Sequence, residues 1–178
     1  MRMIIQSRLI VFLDYECGQQ LQEHQKCCRQ SGRNYRMSIK GIYDIHCHIV
    51  PGVDDGATDI GETVKLLRME YEQGVRTVIA TPHFRFRMFE TPAEKVREQF
   101  RLVEKAASEI SPDLHVYLGC EFHANMEMLP MLREQKVMTM AGSRYVLTEF
   151  SHNSEESYIR ERLGALLSGG YKPIMAHI

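Results

Sequence analysis

The chain has almost no excess charge of either sign. Its 178 residues carry 22 lysines and arginines against 23 aspartates and glutamates, a formal net charge of -1. That leaves no basic field for nucleic acid. The chain also lacks an apolar run near the roughly 20 residues of a membrane helix. The best stretch, LIVFL at residues 9–13, is far too short, and no small-residue cleavage site follows it. Direct membrane insertion is therefore not expected, and the chain reads as cytoplasmic. No C-x-x-C pair occurs, which excludes a zinc ribbon. Five cysteines without a spacing framework point to a reduced compartment rather than to disulfides. A Gly-rich dinucleotide fingerprint is missing after the first expected strand, which argues against nucleotide binding of that type.

What is present changes character along the chain. Residues 1–36, with the stretch CGQQLQEHQKCCRQSGRNYR, are polar, hold no sustained period and offer little core material. They are expected to form a poorly ordered extension, an over-read start upstream of Met37. From residue 41 a rhythm sets in. Residues 41–46 read as a short apolar strand. Asp59 and Glu62 form a capping box for a helix carrying Ile60, Val64, Leu67 and Tyr71. VRTVIATPH is a second strand. Thr91-Pro92-Ala93-Glu94 predicts another capping box and a helix with Val96, Phe100, Val103 and Ala107 inward. LHVYLGCE is a third strand. A short helix follows over 126–135, with Met126, Leu129 and Leu132 inward. RYVLTEF is a fourth strand. Ser154 caps a helix with Ile159, Leu163, Leu166 and Leu167 inward, and KPIMAHI is a fifth strand. Strands alternating with helices predict an α/β fold on a parallel sheet, either an open doubly wound sheet or a barrel.

The apolar strands end on polar residues of one chemical kind. His46 ends the first, with His48 just beyond; His83, Glu121, Glu149 and His177 end the other four. In a parallel barrel all such ends face one side, where active sites sit. These six residues, with an aspartate from the loop after strand one, could meet in one pocket. Alternate residues of an extended strand point the same way, so His46 and His48 can grip one ion. Imidazole and carboxylate together suit zinc, manganese or iron. Seven such side chains exceed one ion's needs, which implies two or three metals able to clamp a phosphate. Any one of these residues alone reads as an ordinary loop residue. The repetition over five strands makes the case. His24, His115, His123 and His152 fall outside the pattern, with His123 and His152 close enough to keep in view. CCRQSGR, from Cys27 to Arg33, has the C-x5-R spacing of a cysteine phosphatase loop. It lacks the flanking strand and helix that such a loop needs, so it is discounted. Cys47 and Cys120 lie in strands and read as core residues.

The segments DIHCHIVPGVDDGA, GVRTVIATPHF, MFETPAEKV, LGCE, SRYVLTEFS and PIMAHI resemble the PHP (polymerase and histidinol phosphatase) superfamily. Within it they are similar to the capsule-type bacterial tyrosine phosphatases, the CpsB/CapC/YwqE group, from about Met37 to Ile178. The resemblance implies a distorted seven-stranded (β/α) TIM-like barrel, of which about the first five β/α units are expected here. It implies manganese, with iron or zinc as substitutes. His46 and His48 would hold a first metal, with Glu121 bridging to a second. Glu149 and His177 would complete the second, and Asp55 with His83 would hold a third. A metal-bridging hydroxide would be the nucleophile, so no side chain need act as one. Arg85 and Arg87 would bind substrate phosphate at the pocket mouth. The implied substrate is the phosphotyrosine tail of a bacterial tyrosine autokinase, linking the chain to capsule or exopolysaccharide synthesis. The family pattern continues beyond AHI to an S-D-x-H segment that completes the metals. A chain ending at residue 178 is expected to bind metal weakly and to have little activity. The alternatives are another PHP phosphoesterase, such as a histidinol-phosphate phosphatase, and a non-catalytic remnant.

Overall fold

A computed structural model describes residues 10–12 and 42–177. Its architecture is mixed α/β with parallel sheets. The strands are β1 (Ile10–Phe12), β2 (Ile42–Cys47), β3 (Val75–Ala80), β4 (His83–Phe84), β5 (His115–Leu118), β6 (Glu121–His123), β7 (Tyr145–Glu149) and β8 (Lys172–Met175). They form two four-stranded sheets, β1-β2-β3-β5 and β4-β6-β7-β8. Only β1, which pairs with Ile42–Asp44 of β2, runs antiparallel. Apart from residues 10–12, the expectation for residues 1–36, including the C-x5-R segment, falls outside the described residues.

The second and third expected strands are each broken in two. VRTVIATPH divides at Thr81-Pro82, and LHVYLGCE divides at Gly119-Cys120. The backbone ladder still passes through both breaks. Thr81 N–H donates to Cys47 O at 2.8 Å, Gly119 N–H to Ala80 O at 2.8 Å, and Glu121 N–H to Pro82 O at 3.1 Å. The strands bend there because proline cannot donate to a ladder. At Gly119 a side chain would press on Met140 and Ile79. One curling arc of strands results, with the chain moving from the first sheet to the second as it bends.

Helices cover the outside of this arc: α1 (Ile60–Glu72), α2 (Ala93–Ile110), α3 (Met128–Arg133) and α4 (Glu156–Ser168). Leu67, Val78, Val96, Phe100 and Val103 fill the core under α1 and α2, and Phe122, Leu132, Val146 and Leu166 fill that under α3 and α4. Full burial of each such side chain contributes about 1.5–3 kcal/mol. Several expected local signals are used differently. Asp59 does cap α1, accepting from Glu62 N–H at 3.0 Å. Glu62 reaches Thr58 instead of Asp59. Thr91 makes no capping box, because its hydroxyl donates to Val53 O at 2.8 Å and ties α2 to the loop after β2. Ser154 does not cap α4, which begins at Glu156 with Glu155 at the cap position and no side-chain bond there. Ile60, Met126 and Leu167 are exposed, and Met128 takes the buried place expected of Met126.

Candidate metal centre

The expected strand-end residues gather on one side of the sheets, but not all of them end strands: His46 lies near the end of β2 and Glu149 closes β7, whereas His83 and Glu121 open β4 and β6 just past the breaks. His46 lies within β2 and is buried; His48 follows just beyond the strand. Asp44 Oδ1 accepts from His46 N–H at 2.9 Å, and Cys47 N–H donates to Thr81 Oγ1 at 3.0 Å, which fixes the strand end. The chain then turns back so closely that Gly56 packs on the His48 backbone. A Cβ at Gly56 would overlap the His48 carbonyl oxygen and its Cβ. The glycine of the VDDGA stretch is therefore set by the close approach of the loop to a candidate ligand.

Glu121 lies at the centre and is wholly buried. Four imidazoles converge on its carboxylate. His46 Nε2 lies 2.9 Å, His48 Nε2 3.0 Å and His83 Nδ1 3.2 Å from Oε2, and His177 Nε2 lies 2.9 Å from Oε1. His46 Nε2 and His48 Nε2 are 3.3 Å apart. Both Glu121 oxygens, His83 Nδ1 and Glu149 Oε2 are buried with no hydrogen-bond partner among the described residues. A buried polar group left unsatisfied costs about 1–3 kcal/mol, and a charged one more. Three overlapping groups have ligand atoms close enough to share an ion: His46, His48 and Glu121; His48, Asp55 and His83; and His83, Glu121 and Glu149. The unsatisfied atoms and the nitrogen–oxygen donor set fit divalent metal.

All seven expected ligand-type residues are thus brought to one place, with differences in detail. His83 is shared: its Nε2 lies 3.8 Å from Asp55 Oδ1 and its Nδ1 3.8 Å from Glu149 Oε2. Glu149 groups with His83 and Glu121, whereas His177 joins through Glu121 and lies beside the His46 ring, 5.1 Å between centroids. His177 has a left-handed backbone, φ 54°, at the strand end. Arg85 lines a cavity of about 740 Å³ beside the cluster, with Glu149, Phe150, Ser151, His152, Met175 and His177 among the other walls. Arg87 is exposed at a hairpin tip and does not line that cavity.

Two features escape the strand-end pattern. Asp54, next to Asp55, has a fully buried side chain and supports the cluster. Its Oδ2 accepts from His48 Nδ1–H at 2.8 Å and from His83 N–H at 2.9 Å, and Oδ1 accepts from Gly56 N–H at 3.0 Å. This bond leaves His48 Nε2 free to face Glu121. Burial alone would lower the His48 pKa, but the bond to Asp54 and the negative charges of Asp54 and Glu121 outweigh it and raise it to about 10. Burial opposes ionisation of Glu121 too, yet the surrounding imidazoles hold its pKa well below the usual carboxylate range. The second feature is His123, whose Nε2 lies 3.1 Å from Ser151 Oγ. His123, the last residue of β6, pairs in register with Glu149 of β7, which brings it beside Ser151 just past the end of that strand.

The sequence profile of the family described as capsular polysaccharide synthesis, CpsB/CapC, matches residues 42–178. The chain is 42% identical over 137 residues to the tyrosine-protein phosphatase CpsB of Streptococcus pneumoniae, which covers 77% of this chain and 56% of that protein. It is 33% identical over 136 residues to the tyrosine-protein phosphatase YwqE of Bacillus subtilis, covering 76% of this chain and 54% of that one. Among solved structures it is similar to work on YwqE from Bacillus subtilis and CpsB from Streptococcus pneumoniae, described as metal-dependent tyrosine phosphatases. The TM-score there is 0.69 at 32% identity, over 76% of this chain and 55% of the other. The chain spans about half the length of the curated relatives it matches.

Proposed function

The chain belongs to the CpsB/CapC family of capsular polysaccharide synthesis, and from that premise we propose that it serves metal-dependent hydrolysis of protein phosphotyrosine. One observation carries the reading: four imidazoles and a buried, unsatisfied glutamate converge at one point beside an open cavity. We assign His46, His48, Asp55, His83, Glu121, Glu149 and His177 as the residues that would hold two or three divalent ions. Manganese is the proposed ion, with iron or zinc as substitutes. The donor set is nitrogen and oxygen, and the buried thiols Cys47 and Cys120 belong to none of the candidate groups. Bound ions would supply neutralisation of phosphate charge and a nucleophile from water near neutral pH.

The chain's own residues would do the rest. Asp54 fixes the orientation of His48 through Nδ1 and so aims Nε2. Glu121 sits between the groups and can serve more than one ion. Arg85 at the cavity wall offers the planar donor fork that matches phosphate oxygens. The curling arc of strands supports a distorted PHP barrel, to which this chain would contribute about five β/α units. The relatives CpsB and YwqE are both tyrosine-protein phosphatases, which favours phosphotyrosine over histidinol phosphate as substrate. The proposed partner is the phosphotyrosine tail of a bacterial tyrosine kinase at the cytoplasmic side. No helix among the described residues is long and apolar enough to cross a membrane. The test is phosphate release from a phosphotyrosine peptide by the manganese-loaded chain, with manganese binding measured in parallel. Release and binding that chelator abolishes are expected. Absence of manganese binding, or release indifferent to chelator, would overturn the proposal.

A further inference from the structure

The segment after His83 is a tight hairpin. Arg85 N–H donates to Phe89 O at 2.9 Å, Phe89 N–H to Arg85 O at 2.8 Å, and Met88 N–H to Arg85 O at 3.0 Å. Its base is fixed to the metal centre, because the Phe89 ring stacks on His83 at 5.3 Å between centroids, 11° from parallel. Phe84 meets Phe122 edge-on at 5.5 Å, which anchors the other side. The tip, in contrast, is turned to solvent. Phe86 is 58% and Met88 61% exposed, a large apolar pair placed where burial would normally be favoured. Arg87 between them adopts a left-handed backbone, φ 62°, which costs a non-glycine residue energy. Its guanidinium lies 5.6 Å from the Phe86 ring centroid. Neither Arg85 nor Arg87 makes an ion pair with another described residue, although Arg85 lines the cavity beside Glu149 and His177.

We propose that this hairpin is the element that reads the peptide around the phosphorylated residue, selecting an apolar side chain next to it and acidic residues beyond. The inference rests on the phosphatase reading above and adds the class of sequence that the site accepts. Two unpaired arginines complement an anionic chain. Phe86 and Met88 supply apolar contact, methionine adapting its shape to different partners. The stacked His83–Phe89 pair holds the tip at a fixed distance from the ligand cluster, so phosphate and flanking residues can be engaged together.

The test uses the whole chain loaded with manganese and three probes. These are a peptide carrying the non-hydrolysable phosphotyrosine mimic phosphonomethyl-phenylalanine with an apolar neighbour and acidic flank, the same peptide with a polar neutral flank, and inorganic phosphate. Binding is followed by calorimetry. The unmodified chain is expected to prefer the apolar, acidic peptide by about tenfold, the scale of one buried apolar side chain with a charge contact. In the double variant Phe86→Ala/Met88→Ala that preference falls to about threefold, the part the arginines supply, while inorganic phosphate affinity and manganese content stay unchanged. Arg87→Glu is expected to reverse the preference for the acidic flank. Equal binding of both peptides, or variants that leave the preference intact, would overturn the proposal while phosphate binding upholds the phosphatase reading. Failure of the unmodified, manganese-loaded chain to bind even inorganic phosphate would overturn both.

Discussion

Replacing Asp54 by asparagine separates the support of the metal centre from its ligands. The carboxylate accepts three hydrogen bonds, from His48 Nδ1, His83 N and Gly56 N, at 2.8, 2.9 and 3.0 Å. An asparagine has one acceptor oxygen, and its NH₂ group must then oppose at least one of those donors. One unsatisfied buried donor costs about 1–3 kcal/mol of stability. Loss of an outer partner to a ligating histidine typically lowers metal affinity by about 10–100-fold, or about 1.4–2.7 kcal/mol. The pH dependence has a definite sign. His48 in the folded, metal-free chain has its pKa raised to about 10 from an ordinary 6.5. Its contribution to stability is full below the unfolded pKa and is lost as pH rises through the folded one. Asp54→Asn should therefore destabilise the metal-free chain most near pH 6 and progressively less toward pH 10. Urea denaturation of chelator-treated protein at several pH values, with manganese calorimetry at one, measures both effects. Affinity within twofold of the unmodified chain, together with a pH-independent stability loss, would refute the orienting role.

Other consequences can be checked separately. Glu121→Gln should reduce manganese affinity by more than about a hundredfold, beyond the loss of an outer partner, as calorimetry would show. Gly56→Ala should push on the His48 backbone. It is expected to weaken manganese binding with a stability loss of about 1–3 kcal/mol, read by calorimetry and thermal melting. Manganese uptake should release protons, since ions and protons compete for His48 Nε2 and the metal-free imidazole is charged at neutral pH. Calorimetry in two buffers of different ionisation enthalpy counts them, and affinity should fall as pH is lowered.

Much of the site was legible because strand geometry is simple. Alternation puts His46 and His48 on one face, and parallel neighbours bring His83, Glu121, Glu149 and His177 together, although His83 and Glu121 open the short strands that follow the breaks rather than ending strands. The α/β alternation and the apolar face of α2 followed from residue spacing in the same way. What was hidden depended on tertiary choices. Thr91 and Ser154 look like helix caps, but Thr91 is used by Val53 across 38 residues, and α4 starts past Ser154. The breaks at Thr81-Pro82 and Gly119-Cys120 reflect curvature of the whole sheet, which no local window contains. Nor could spacing decide which of two adjacent aspartates points inward. The turn aims Asp54 at His48, while Asp55, on the more exposed side, faces His83. His123 and Ser151 meet only because β6 and β7 pair in this register.

The central claim is that the strand-end cluster holds divalent ions. Crystals of the chain grown with manganese and measured by anomalous diffraction test it most directly. The account predicts anomalous peaks within bonding distance of Glu121 and of the imidazole nitrogens of His46, His48 and His83. The absence of any peak at Glu121, or peaks confined to surface carboxylates away from these histidines, would contradict it.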